Sequence, residues 1–223
     1  MAFRTAAASA FLLLAGCGEA SEASAAQNEG RRADPRQAAS WTIGPIINGR
    51  NYSVGMPLNP TPRRGGGWQI DLPRHPASVH YVTFPHGSLA GKTRIRMRYR
   101  IEADPGVRIL PSTDPNLPSI LTLYFQRRGD NWRARGRYET YRWYATFASH
   151  SPLTAGTHEI VAPLSGAWTA VGTSTARTAP AAFREAAVQA DQVGFVLGGG
   201  DGYGHGVFAT GRARLIVTEF TVE

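Results

Sequence analysis

The chain is short of almost every residue that makes a chemistry easy to name. It has one cysteine, Cys17, in 223 residues. Neither an internal disulfide nor a cysteine-ligated metal cluster can form. Lysine occurs once, as Lys92, so a net charge of +8 comes almost wholly from arginine. Acids are sparse: before the closing strand Glu102, Glu139 and Glu159 are the only strand-borne glutamates. No pair of them has a spacing that argues for the facing carboxylates of a glycoside hydrolase. The six histidines are scattered, without H-E-x-x-H spacing, and G-x-S-x-G is missing. The glycines of 198–206 do not fall at i, i+2 and i+5, and G-x-x-x-x-G-K-[ST] is missing too. They serve turns and close strand approach rather than phosphate. The reading therefore expects no catalytic residue, no metal site and no cofactor. No apolar run is long enough to cross a bilayer as a permanent helix.

What is present begins with a leader. Arg4 precedes an apolar stretch from Ala6 to Ala15, the proportions of a signal peptide. Leu14-Ala15-Gly16-Cys17 resembles the lipobox of bacterial lipoproteins. That resemblance implies a signal peptide over 1–16, cleavage before Cys17 and lipidation of Cys17. With Gly18 next, it implies a lipid-anchored place in the cell envelope, at the outer membrane. The alternative is ordinary cleavage at Ala23-Ser24-Ala25 and a released product. Residues 17–40 are Ala, Ser, Glu, Gln and Arg, too poor in large apolar side chains to fold, and read as a disordered tether.

From Trp41 to residue 223 the pattern is period two. The clearest strand is 93–102, with Ile95, Met97, Tyr99 and Ile101 on one face and Arg94, Arg96, Arg98 and Arg100 on the other. In 119–126, Leu121, Leu123 and Phe125 point inward, leaving Thr122, Tyr124 and Gln126 outside. In 137–147, Tyr141, Trp143, Ala145 and Phe147 share one face, and Tyr138, Arg142, Tyr144 and Thr146 the other. Further strands are expected at 41–47, 50–54, 68–71, 79–84, 158–161, 191–197, 207–209 and 213–222, with Asn48-Gly49 as a hairpin turn. Pro180 to Ala190 alone reads as helix, started by Pro180. The expected fold is all-β: an antiparallel β-sandwich, or jelly roll, with one short helix.

The order of Trp168, a Phe183-containing helix, Val193-Gly194-Phe195-Val196-Leu197-Gly198-Gly199, Gly204-His205-Gly206-Val207 and a closing strand from Ala213 to Val222 is similar to the C-terminal half of galactose-binding-like jelly rolls. That family includes many carbohydrate-binding modules. The resemblance implies a glycan on the concave sheet or at the loop ends, with rings stacked on sugar faces. The structural calcium often found in that family has no dense acidic cluster to hold it here.

The candidate ligand-binding residues are Arg96, Arg98 and Arg100, Tyr124 and Gln126, and Tyr138, Arg142 and Tyr144. If their strands are neighbours, they form one polar aromatic surface able to grip an anionic polysaccharide. Trp132, with Arg128, Arg133 and Arg135 around it, is a second platform. Trp68 and Trp143 are expected in the core. The function read from the chain is a membrane-anchored, non-catalytic carbohydrate-binding domain. Its partners are carbohydrate and, through the lipid, the membrane; export argues against nucleic acid. The alternatives are a jelly-roll polysaccharide lyase built from Arg96, Arg142, His80 and Tyr144, and a structural envelope lipoprotein contacting protein or lipopolysaccharide.

Overall fold

Alternating side chains carry the architecture. The computed structural model describes residues 34–76, 80–146, 149–200, 203 and 205–223. Cys17, the expected signal peptide and tether residues 17–33 lie outside them, as do Val79 and Phe147. In chain order the strands are β1 (Thr42–Gly44), β2 (Ile46–Ile47), β3 (Arg50–Asn51), β4 (Thr61–Pro62), β5 (Trp68–Asp71), β6 (His80–Pro85), β7 (Arg94–Ala103) and β8 (Ile109–Pro111). They continue with β9 (Ser119–Arg127), β10 (Arg142–Tyr144), β11 (His150–Pro152), β12 (Gly156–Pro163), β13 (Thr169–Ala170), β14 (Ala190–Gly199), β15 (Val207–Ala209) and β16 (Ala213–Val222). Among the described residues one α-helix, α1 (Pro180–Val188), precedes β14.

Two antiparallel sheets pack as a sandwich. The seven-stranded sheet runs β1-β6-β14-β9-β10-β13, with β11 also on β9; the five-stranded sheet runs β12-β7-β16-β5-β4. Two small ribbons, β2–β3 and β8–β15, complete it. The expected inner faces are buried: Ile95, Met97, Tyr99 and Ile101 from β7, and Leu121, Leu123 and Phe125 from β9. Trp68 of β5 stacks on Phe195 of β14 across the gap, 6.2 Å between ring centroids. Trp41 lies at 4.8 Å from Trp68 and at 5.2 Å from Phe84. Aromatic packing of this kind adds to an already large apolar burial.

Packing starts ahead of Trp41. The Pro35 carbonyl accepts the indole N–H of both Trp41 (2.9 Å) and Trp68 (3.1 Å), and Ala38 is buried in a short 3-10 turn. Residues 34–40, the end of the expected tether, thus lie against the sandwich. The β2–β3 hairpin turns at Asn48 and Gly49, φ +50° and +77°, the left-handed pair that a type I′ turn requires. Helix α1 starts on Pro180 and buries Phe183 and Ala186. Phe183 meets Trp143 edge-on at 5.1 Å and Phe125 at 5.6 Å, so the helix plugs the aromatic end of the core.

Two expected strands are shorter, and of 50–54 only Arg50–Asn51 is strand. Among the described residues of 137–147 only Arg142–Tyr144 is strand, and Gly136–Thr140 is a 3-10 turn. Left-handed backbone at Trp132, Ala134 and Gly136, φ +66°, +51° and +58°, breaks the extended path before it reaches Tyr138. Glu139 then accepts the Gly136 N–H at 3.2 Å, which holds the turn closed.

Candidate functional site

The arginine row of β7 lies on the outer face of the five-stranded sheet, and its partners are carboxylates. Register sets Glu159 of β12 and Glu219 of β16 on either side of Arg98. Arg96 reaches Glu159 at 2.9 Å and Glu219 at 3.2 Å; Arg98 reaches the same two at 2.7 and 3.5 Å. Arg94 pairs with Glu223, Arg100 with Glu102, and Arg214 with Asp71. Hydrogen bonds from Arg96 and Arg98 draw the Glu159 carboxyl down to about 2. The row is a solvated lattice of matched charges. Such exposed pairs contribute little stability each.

Tyr124, Gln126, Arg142 and Tyr144 stand on the other sheet, so the single arginine–tyrosine surface expected from alternation does not form. Period two tells which residues share a face of one strand, not which strands are neighbours. Tyr138 belongs to neither face: it sits on the 3-10 turn, half-buried, with Arg137 over its ring at 4.8 Å. The four lyase candidates likewise do not come together: only Arg142 and Tyr144 share a face, that of β10. Arg96 is on the five-stranded sheet, while His80 points into the sandwich and Tyr144 out of it. His80 is buried against Ser53 Oγ and the Val207 carbonyl.

The outer face of the seven-stranded sheet is built in rows across its strands. One row is Pro85, Gln192, Gln126, Arg142; the next is Thr42, Thr83, Gly194, Tyr124, Tyr144; a third is Gly44, Tyr81, Val196, Thr122. Gly194 is needed for the second row: a Cβ there would stand 2.0 Å from the Val82 carbonyl oxygen. Thr122, Tyr124 and Gln126 were expected to be wet, and all three are buried. The reason is a second layer. The segment after β9 folds back, placing Trp132 edge-on to Tyr81 at 4.9 Å, and Tyr203 stacks on Tyr144 at 4.0 Å.

A buried ion pair fastens that layer. Arg142, 4% exposed, has its Nε 2.8 Å from Asp130 Oδ2. The Gln126 amide donates to the same carboxylate at 3.1 Å, and the Trp132 N–H donates to Asp130 Oδ1 at 3.1 Å. The Arg142 guanidinium lies over the Trp132 ring at 4.7 Å and donates to the Trp132 carbonyl at 3.2 Å. Burial raises the Asp130 carboxyl above its usual range, against the pull of Arg142 and the amide donors. Burial also lifts the Tyr124 and Tyr144 phenols well above theirs. The Tyr81 and Tyr144 hydroxyls bond directly to each other. Among the described residues Gln126 Oε1, the Tyr124 hydroxyl and Arg142 Nε are buried with no hydrogen-bond partner, so Arg142 Nε meets Asp130 as an ion pair only.

Two clefts flank the loop. The first, about 440 Å³, has Trp132 and the Pro45–Ile46 segment among its walls, with Thr42, Thr83 and Gln192 from β1, β6 and β14 on its floor. The second, about 520 Å³, is lined by Asn131, Arg133, Arg135 and Tyr138. The residues that sequence reasoning missed are Thr42, Tyr81, Thr83, Asp130, Asn131, Gln192 and Tyr203. Alternation in 80–84 already places Tyr81 and Thr83 together, but Asp130 reads only as a turn former and Tyr203 only as part of a glycine loop. Among the described residues no group of three or more His, Cys, Asp or Glu side chains could hold a metal ion. No protein-family model matches the chain, and no curated protein matches it.

Proposed function

We propose that this chain is a non-catalytic carbohydrate-binding domain of the galactose-binding-like jelly-roll type, tethered to the bacterial envelope through acylated Cys17. The observation that carries the reading is the cleft at Trp132. An indole wall stands beside a floor of threonine hydroxyls and a glutamine amide. A sugar ring has an apolar C–H face that suits an indole and hydroxyls that suit Thr42, Thr83 and Gln192. Trp132 is held by Asp130, Arg142 and Tyr81, so little order remains to be imposed on binding. The fastened ion pair has its charges satisfied by each other, which fits a binding face better than a reacting centre.

Affinity electrophoresis through neutral and uronic-acid polysaccharides tests the proposal. Retardation by at least one polymer is expected. Trp132→Ala should abolish it, and Gln192→Ala, which leaves the packed layer intact, should weaken it. The unfolding midpoint of each variant is measured alongside. Mobility unchanged by every polymer would remove the proposal.

A further inference from the structure

We infer that the loop 128–137 carries a subsite for the carboxylates of an acidic polysaccharide, with Arg133 and Arg135 as its anion-binding side chains. The inference rests on the carbohydrate reading above and narrows it to polymers bearing uronic acids.

The first support is an accounting of charge. Every arginine from 94 to 100 on β7 has a carboxylate within ion-pair distance. Those guanidinium groups are already occupied, and an anionic ligand would have to displace their partners. Arg133 and Arg135 pair with no carboxylate among the described residues. Their planar forks are free to take a carboxylate in two-point fashion.

The second support is the mounting. Asp130, whose side chain is fully buried, ties the loop to Arg142 of β10. Asp130 and Asn131 each accept a backbone N–H two residues on, at 3.1 and 3.0 Å, from Trp132 and Arg133. The loop backbone is therefore fixed where the two free cations leave it. The third is the cavity: Asn131, Arg133, Arg135 and Tyr138 line one concave space of about 520 Å³. It offers two cations, an amide and a ring to one ligand. Trp132, between Asn131 and Arg133 in the chain, walls the neighbouring cleft. A polymer with one residue on the indole passes other residues over the same loop.

The test uses polygalacturonate and polymannuronate, each before and after chemical reduction of its carboxyl groups to alcohols, with neutral galactan and glucan alongside. Affinity for at least one polyuronate should exceed that for its reduced form and should fall as salt is raised. Arg133→Gln with Arg135→Gln should lower polyuronate affinity about tenfold and leave the reduced polymer unaffected. Arg96→Gln with Arg98→Gln removes the same charge from the matched lattice and should change neither. Equal loss from both double variants would reduce the effect to net charge and overturn the subsite. So would a polyuronate affinity no higher than that of its reduced form, or one untouched by the loop variant. Retardation by neutral polymers alone would sink the subsite and leave the carbohydrate reading standing. Retardation by nothing would sink both.

Discussion

His80 shows what a single buried ring contributes. It is fully buried; its Nδ1 meets the Ser53 hydroxyl and its Nε2 meets the Val207 carbonyl at 3.3 Å. One nitrogen accepts and the other donates, which suits the neutral ring. Burial lowers its pKa from 6.5 to about 4, only partly opposed by the carbonyl. The unfolded chain therefore binds the proton first. Stability is full above the unfolded value and is lost as pH falls from about 6.5 towards 4, by about 3 kcal/mol at the lower end. Urea midpoints measured between pH 7 and 5 should decline in the parent protein. His80→Gln should flatten that decline, and an identical slope in the two proteins would show that the ring is not the source. The same scale explains why the arginine row looked functional from the sequence. Arg96, Arg98 and Arg100 are strictly alternate, but the carboxylates that occupy the first two, Glu159 and Glu219, arrive from 61 and 121 residues further along the chain, counted from Arg98. Only register brings them together.

The loop between β9 and β10 is an element with one principal fastening. Asp130 faces Arg142, and the two are shielded from water. Removing one partner of a buried pair leaves the other charge uncompensated, a cost of about 3–5 kcal/mol. Asp130→Asn should therefore lower the urea midpoint and raise hydrogen exchange in residues 128–135. A loss below about 1 kcal/mol would mean that water reaches Arg142 readily. The longest strands of this protein were the most legible. Strands β7, β9, β14 and β16 run nine or ten residues, long enough for alternation to declare itself, and α1 was marked by Pro180. Strands β8, β11 and β13 have two or three residues, too few for any period. The β10 strand was read too long because Tyr138, Arg142 and Tyr144 keep period two by chance across a turn. The second layer over Tyr124 was not legible, since nothing in a strand's pattern says that a distant tryptophan and tyrosine will cover its outer face.

Across the whole molecule, the two sheets share a core to which the incoming chain is tied through the Pro35 carbonyl and the buried Ala38. The Pro35 carbonyl serves Trp41 and Trp68 together, and both rings are fully buried. Truncation to start at Gln37 should leave two indole N–H groups without their acceptor. A buried donor left unmade costs about 1–3 kcal/mol. The shortened protein should therefore unfold at lower urea with an unchanged far-ultraviolet spectrum. An unchanged midpoint would show that solvent takes over the carbonyl's role. The two broad sides of the sandwich differ in kind. One is covered by a fastened aromatic layer with clefts at its margin; the other is bare sheet bearing interleaved guanidinium and carboxylate groups.

That bare side behaves as a short-range multipole. Opposite charges a few ångströms apart cancel within one screening length, so anionic lipid or polymer nearby would feel little attraction to it. Acid would undo the cancellation from one partner only, because guanidinium keeps its proton while carboxylate gains one. The strand pairing of β12, β7 and β16 thus keeps a dense patch of arginine electrically quiet at neutral pH.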